Sequence, residues 1–246
     1  MRETLADTAG TRPGLNGPGK HQLIVALDVP TAADARKIVV AVGDEAVFYK
    51  VGKQLFTAEG PQVVRELTAA GKKVFLDLKY HDIPTSVAGA VGEAAKLAAD
   101  MVTVHASGGG KMLRAAVEAA KARPGMAVLA VTVLTSFDDD DPDKIGIRGR
   151  VLDQVMRLAA IALTEGCQGL VASAREARQL RAEFGPEFLL VTPGVRPAGA
   201  AAGDQARVVT PAEAFAAGAS HIVVGRPITG ASDPAAAVRG IMSRTE

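Results

Sequence analysis

The strongest constraint on the fold of this chain is a two-part pattern that recurs eight times. Each unit is a short apolar run rich in β-branched residues, then Gly, Pro or polar residues, then a longer Ala-rich segment. The apolar runs predict strands over residues 22–28, 46–51, 73–79, 101–105, 126–132, 168–172, 188–192 and 221–225. The longer segments predict helices over residues 31–42, 59–70, 85–98, 110–122, 150–165, 174–184, 211–217 and 234–243. Strands that alternate with helices favour parallel βαβ units, and eight such units predict an α/β fold closed into a (β/α)8 TIM barrel.

An open, doubly wound sheet is the alternative arrangement of the same units. It would be favoured by a Gly-x-Gly-x-x-Gly sequence after the first strand, where that fold binds dinucleotides. The first predicted strand instead runs into residues 27–30 (LDVP). The glycine run at residues 107–110 lacks the Lys-Ser/Thr ending of a Walker loop, so we interpret it as a tight turn. The barrel is therefore the preferred fold.

The composition fits a barrel whose strands are buried on both faces. Hydrophobic residues make up 48% of the 246 residues, whereas aromatic residues make up 4% and Trp is absent. Such a core must be built mainly from Ala, Val, Leu and Ile, which suits parallel strands covered by helices. Residues 1–20 are instead polar and dense in Gly and Pro, so we expect a flexible N-terminal tail and a single domain over residues 21–246.

Charge and cysteine content argue against several classes of function. The 28 Lys and Arg residues balance 27 Asp and Glu residues, whereas a nucleic-acid-binding protein usually carries a basic surplus. No apolar run approaches the roughly 18 residues of a membrane helix, and the N-terminus lacks the apolar segment of a secretory signal. Cys167 is the only cysteine, so no intrachain disulfide can form and a cytoplasmic location is expected. We interpret its thiol as a small buried side chain rather than a nucleophile.

Charged residues lie at the ends of the first three predicted strands. Asp28 ends the first strand, Lys50 lies on the second, and the third ends in Asp77 and Lys79 before continuing into Asp82. Side chains two positions apart on a strand point to the same face, so Asp77 and Lys79 share one. Catalytic residues of this fold lie at the carboxyl ends of the strands. We therefore expect a compact array of alternating charges at the barrel mouth, with an ion-pair network that only ties the strands together as the alternative.

A phosphate site is predicted on the other side of the same mouth. The seventh strand leads into a Pro-Gly-Val-Arg-Pro segment that contains Arg196, and the eighth ends in Gly225 and Arg226. Loops after strands 7 and 8 are the usual phosphate site of this fold, because Gly lets backbone N–H groups approach and Arg binds the oxyanion. The small-residue segment 197–205 is expected to form a lid with Gln205 at its tip, with an ordinary flexible loop as the alternative.

Taken together, these segments resemble the sequences of bacterial orotidine 5′-phosphate decarboxylases. The resemblance covers the chain from about residue 22 onward and is carried by residues 27–28, 50–52, 77–84 (DLKYHDIP), 131–136, 193–197, 204–205 and 225–227, in the same order. An Asp-x-Lys-x-x-Asp sequence alone is shared with sugar-phosphate enzymes of the same superfamily. Those enzymes tend to place an acidic, metal-binding residue where this chain has Lys50, so the combination is specific.

The resemblance implies conversion of orotidine 5′-monophosphate to UMP and CO₂ without a cofactor or a metal. Lys79 would deliver a proton to C6 of the pyrimidine, and Asp77 would lie against the substrate carboxylate. Asp28 and Lys50 would hold the ribose hydroxyls, and Thr132 would contact the pyrimidine. The phosphate would be bound by Arg196, Gln205, Gly225 and Arg226.

The resemblance also implies a homodimer. Asp82, Ile83 and the hydroxyl at position 86 would reach into the active site of the partner subunit, so that Asp82 completes it. The family pattern leads us to expect Thr two positions after Pro84, where this chain has Ser86. Because a hydroxyl is kept, we expect the contact to survive with less packing, although Thr85 beside it is a competitor for the role.

Three other functions fit parts of this pattern. A sugar-phosphate lyase or epimerase on the same fold is disfavoured by Lys50 and by four histidines whose spacing forms no metal-ligand motif. An aldolase would use Lys79 to form a Schiff base with its substrate. A catalytically silent protein that binds nucleotide phosphates is disfavoured by the intact set of charged residues.

Overall fold

Eight parallel strands close into a barrel in the order in which they occur along the chain. The computed structural model describes residues 22–137, 141–196 and 209–243. Its strands are β1 Leu23–Ala26, β2 Phe48–Gly52, β3 Lys73–Tyr80, β4 Met101–His105, β5 Ala127–Val131, β6 Gly169–Val171, β7 Leu189–Thr192 and β8 His221–Val224. Strand β8 pairs with β1, so no open edge remains in the sheet. The predicted barrel and its eight strands are confirmed, and the predicted tail over residues 1–20 lies outside the described residues.

Helices cover the outside of the barrel. They are α1 Ala32–Val42, α2 Lys53–Glu59, α3 Gln62–Ala69, α4 Pro84–Lys96, α5 Gly109–Ala120, α6 Asp141–Lys144, α7 Val151–Thr164, α8 Ala174–Phe184, α9 Pro211–Ala216, α10 Arg226–Thr229 and α11 Pro234–Met242. Each predicted helix is found, but the sequence missed the short helices α2, α6 and α10.

The helix α2 was missed because a glycine and a proline separate it from α3. Gly60 ends α2 in a left-handed conformation with φ 66°, and Pro61 caps the start of α3. Gly followed by Pro is common where one helix ends and the next begins, but residues 59–70 were predicted as a single helix that contains both. The glycine run at residues 107–110 also differs from a simple turn, because a 3-10 turn over Ala106–Gly108 leads directly into α5.

Two apolar layers lie on the two faces of the strands. The inner layer fills the barrel and contains residues such as Ile24, Phe75 and Leu129. The outer layer, which includes Leu76, packs the strands against the helices. Phe75 belongs to the inner layer and Leu76 to the outer layer. Asp77, two positions after Phe75, therefore faces the barrel interior near the carboxyl end of β3. This alternation is what carries charged side chains into the barrel mouth.

A buried histidine lies at the opposite end of the barrel. His221 begins β8, and its ring packs edge-on against Phe48 with centroids 6.0 Å apart. Its Nδ1 lies 3.2 Å from Ser220 Oγ. Burial, assisted by the positive charge of Lys73, lowers the pKa of His221 from 6.5 to about 4. The folded protein therefore keeps this imidazole neutral at pH values where an exposed histidine is protonated.

We predict that this histidine makes the protein less stable in mild acid. Between pH 6.5 and pH 4 the unfolded chain binds a proton at His221 that the folded protein excludes, so the free energy of unfolding falls as the pH decreases. The contribution is on the order of 2 kcal/mol across that interval. His221→Asn, which stays neutral, should lose less stability over the same interval in urea titrations. Identical pH dependence in the two proteins would contradict the prediction.

Candidate active site

A cavity of about 520 Å³ opens at the carboxyl ends of the strands. This volume is typical of sites for small molecules. Its walls combine apolar side chains of the barrel interior, such as Phe75 and Val223, with charged groups from the ends of the strands. The predicted site residues that line it are Asp28, Lys50, Asp77, Lys79, Arg196, Gly225 and Arg226.

The predicted array of alternating charges is present on one wall. Lys50 Nζ lies 2.7 Å from Asp28 Oδ1 and 3.6 Å from Asp77 Oδ2. Lys79 Nζ lies 2.7 Å from Asp77 Oδ1. The side chains of Lys50 and Asp77 are buried, whereas that of Asp28 is 57% exposed. The array thus runs from the solvated carboxylate of Asp28 through the buried Lys50 and Asp77 to the partly buried Lys79.

Electrostatics keep the Asp77 carboxyl ionised. Burial is the largest single influence and raises its pKa. The positive charges of Lys79 and Lys50, together with hydrogen bonds from Lys79 and Thr103, outweigh burial and hold the pKa below its usual range. Because the charged form is favoured, Asp77 places a negative charge between the side chains of the two lysines.

A glycine makes room for the ion pair between Lys50 and Asp28. Gly52 ends β2, and a Cβ atom added there would lie 2.8 Å from Lys50 Nζ and 2.9 Å from Asp28 Oδ1. Any side chain at this position would push the two charged groups apart. The Lys50-Val51-Gly52 segment therefore supplies both a charge and the space that the charge needs.

The backbone of β3 is irregular where it carries these groups. The pairing of β3 with β4 shifts register between Leu76 and Tyr80. Within that interval Lys79 adopts a left-handed conformation with φ 53°. A residue with a Cβ atom rarely occupies this region, and such conformations concentrate at functional sites.

A second wall of the cavity, formed after β7 and β8, carries the predicted phosphate-binding groups. Arg196 is buried after β7, and its backbone N–H donates to the Val209 carbonyl at 3.0 Å. Gly225 and Arg226 follow β8 at the start of α10. Gln205 and the predicted lid around it lie outside the described residues.

Two threonines that follow β5 differ in their position relative to the cavity. Thr132 is not among the residues that line the cavity, and its buried hydroxyl donates to the Val171 carbonyl at 3.2 Å. Thr135, which sequence reasoning missed, does line the cavity. Alternation along β5 was the available signal against Thr132. Val131 belongs to the inner layer, so the next residue faces outward.

The segment after β3 lies away from this cavity. Asp82, Ile83 and Ser86 are exposed, and the side chain of Ile83 has 63% of its surface in solvent. Asp82 Oδ1 accepts a hydrogen bond from the Ile83 N–H at 2.6 Å. Within one chain, Asp82 therefore does not line the cavity with Asp28, Lys50, Asp77 and Lys79.

The single cysteine of the chain, Cys167, is buried. Burial, assisted by the charge of Glu165, raises the pKa of Cys167 to about 12, which agrees with its interpretation as a packing residue. Across residues 22–137, 141–196 and 209–243, no three His, Cys, Asp or Glu side chains are grouped so that they could hold a metal ion. In the same part of the chain, no helix is long and apolar enough to cross a membrane.

Comparison with known proteins adds a family to this geometry. Residues 21–241 match the model of the family described as "Orotidine 5'-phosphate decarboxylase / HUMPS family". This chain belongs to that family. The chain is similar to the orotidine 5′-phosphate decarboxylase of Halorhodospira halophila, with 53% identity over 225 residues that cover 91% of this chain and 95% of that protein. The corresponding protein of Moorella thermoacetica is 50% identical over 92% of this chain and 93% of its own length.

A solved structure agrees with the sequence relatives. The crystal structure of orotidine 5′-phosphate decarboxylase from Lactobacillus acidophilus superimposes with a TM-score of 0.83 at 40% identity, covering 92% of this chain and 99% of that one. The family and these relatives support orotidine 5′-phosphate decarboxylase function and a carboxy-lyase enzyme. The resemblance inferred from the motifs is confirmed.

We predict that Asp77 is the member of the array on which stability depends. Asp77→Asn leaves two buried ammonium groups beside a neutral side chain, which should lower the free energy of unfolding by about 3 kcal/mol at pH 7. Asp28→Asn is the matched control, because its carboxylate is largely solvated and its removal should cost less than about 1 kcal/mol. Denaturant titration of the native protein and of both variants measures these two losses. Equal stability of Asp77→Asn and the native protein would contradict the prediction.

Proposed function

We propose that this chain converts orotidine 5′-monophosphate to UMP and CO₂ without a cofactor, with Lys79 as the proton donor. The observation that carries the proposal is the Lys50–Asp77–Lys79 array on one wall of a cavity whose second wall carries two arginines. Such an enzyme acts in UMP biosynthesis, and its cytoplasmic location stays a prediction.

The two walls suit the two ends of this substrate. Arg196, Arg226 and the backbone at Gly225 would bind the phosphate together with Gln205. On the other wall Asp28 is exposed enough to accept hydrogen bonds from the ribose hydroxyls, and Lys50 beside it would donate to them. Binding of the phosphate, far from the reacting carbon, would supply energy to organise the charged wall around the pyrimidine.

The chemistry requires a positive charge next to C6. When the bond between C6 and the carboxylate breaks, CO₂ leaves and the electron pair stays on C6. The ammonium group of Lys79 would stabilise that pair through a strong field in a poorly solvated site and then transfer a proton to C6. Solvent would return a proton to the amine, so the enzyme ends each cycle unchanged.

Asp77 would have two roles in this step. Its ionised carboxylate, 2.7 Å from Lys79 Nζ, pairs with the lysine and fixes its position. It also lies where the departing carboxylate of the substrate would be placed, so that the two negative charges repel each other before CO₂ is lost. A lysine paired in this way is a poor nucleophile, which argues against a Schiff-base mechanism.

For the pyrimidine, we propose Thr135 as the polar contact in preference to Thr132. Thr135 lines the cavity, whereas the hydroxyl of Thr132 is directed to the Val171 carbonyl. The contact predicted for Thr132 would require its buried side chain to reach a cavity that it does not line.

We further propose that the protein acts as a homodimer in which Asp82 completes the site of the partner subunit. Exposure of Asp82, Ile83 and Ser86, away from the cavity of their own chain, supports this arrangement. Ile83 is a large apolar side chain that a subunit interface would cover. Asp82 would then add a second carboxylate next to Lys79, continuing the alternation of charge.

Lys79→Ala should abolish turnover while leaving UMP binding measurable. The loss of the ultraviolet band of orotidine 5′-monophosphate, measured after EDTA treatment, reports decarboxylation, and titration reports UMP binding. Lys121→Ala, which removes an exposed lysine paired with Glu118 at the C-terminal end of α5, is the control and should keep native turnover. Turnover by Lys79→Ala would refute the proton donor. No turnover by the native protein would refute the proposed function.

Mixing two inactive variants tests the shared site. In a dimer of one Lys79→Ala subunit and one Asp82→Ala subunit, one of the two sites would contain both native residues. Random exchange of subunits should therefore restore about a quarter of the native activity. Each variant mixed with itself is the control. A mixture that stays as inactive as its components would refute a site built from two subunits.

A further inference from the structure

Thr103 connects the two central residues of the charged array without touching the cavity. It lies in the middle of β4 and is completely buried. Its Oγ1 donates a hydrogen bond to Asp77 Oδ1 at 3.0 Å. The same oxygen accepts a hydrogen bond from the backbone N–H of Lys79 at 2.8 Å. One hydroxyl therefore holds the carboxylate of one residue and the backbone of the other.

The place where this hydroxyl acts is the irregular part of β3. Leu76 pairs with Val102 and Tyr80 pairs with Val104, so β3 advances four residues while β4 advances two. The additional residues of β3 form a bulge, and bulges redirect the side chains that they carry. Lys79, with φ 53°, lies inside this bulge and is bound there by Thr103.

The direction of the Lys79 side chain depends on this backbone conformation. A left-handed residue other than Gly is unfavourable unless its surroundings hold it. The hydrogen bond from its N–H to a rigid, buried hydroxyl supplies such a constraint. Because the oxygen of Thr103 accepts from Lys79, its own hydrogen is left to donate to the ionised carboxylate of Asp77.

We propose that Thr103 is a positioning residue for decarboxylation: its hydroxyl fixes the backbone of Lys79 and the carboxylate of Asp77 in one arrangement, so that Lys79 Nζ is held at the reacting carbon. The inference rests on the proposed function. Thr103 acts only through its two neighbours, since it is not among the residues that line the cavity.

Two substitutions separate the hydroxyl from the shape of the side chain. Thr103→Val keeps the shape and removes the hydroxyl, whereas Thr103→Ser keeps the hydroxyl and removes a methyl group. With orotidine 5′-monophosphate as substrate, Thr103→Val should lower kcat by about 10- to 100-fold, because a small displacement of a reacting group has an effect of that size. Its KM should change by less than about threefold, since the phosphate and ribose contacts are untouched. Thr103→Ser should retain a kcat near that of the native enzyme.

The pH dependence of kcat/KM gives a second readout that a purely structural role would not move. The charged and titratable groups around Asp77 are Lys50 from β2, Lys79 from β3 and His105 from β4, with Asp28 reached through Lys50. The hydrogen bond from Thr103 favours the ionised form of Asp77. Its loss should move the acidic limb of the profile to higher pH in Thr103→Val and leave it in place in Thr103→Ser.

The outcomes separate this role from the proposed function. A Thr103→Val enzyme with native kcat and a native pH profile overturns the positioning role alone. Thr103→Ala is the second variant without a hydroxyl. If both it and Thr103→Val fail to fold while Thr103→Ser folds, the hydroxyl is structural and the positioning role is overturned. Absence of turnover in the native protein overturns the proposed function and this role with it.

Discussion

A buried carboxylate between two ammonium groups is the interaction on which the site depends. Asp77 lies 2.7 Å from Lys79 Nζ and 3.6 Å from Lys50 Nζ, and the lysines outweigh the effect of burial on its pKa. Bringing these charges out of water is expensive unless each has a partner. The barrel meets that requirement by placing them on β2 and β3, which pair directly, and by leaving Asp28 at the solvated edge.

The rest of the cavity depends on the parallel arrangement of the barrel strands. Parallel strands all end at one mouth, so residues after β7 and β8 line the same cavity as the charged residues of the first three strands. One end of a ligand can then be bound by the arginines while the other lies beside the charged array. In the function that we propose for this chain, binding of the phosphate supplies the energy that organises the charged array around the reacting carbon.

The sequence predicted the barrel and the charged array because both depend on simple periodicity. Alternation along β3 predicted that Asp77 and Lys79 share a face, and their side chains are in contact, although the bulge in β3 sets the direction of Lys79. Alternation past Val131 indicates that Thr132 faces outward, but it does not extend to Thr135, which lies beyond the end of β5. The bulge in β3 and the contact of Thr103 with Lys79 were beyond prediction, because they depend on the register between two strands. No local pattern encodes such a register.

The hydrogen at C6 of UMP offers a test of the account in the absence of decarboxylation. If Lys79 donates a proton to C6 and the array stabilises negative charge there, the reverse step should also occur: the neutral amine of Lys79 takes the C6 proton of UMP, and the ammonium group so formed exchanges protons with the solvent. In D₂O, nuclear magnetic resonance should then show exchange of the C6 hydrogen for deuterium with the native protein and none above background with Lys79→Ala. Exchange at the same rate in both proteins would contradict the account, because carbanion stabilisation would then not depend on Lys79.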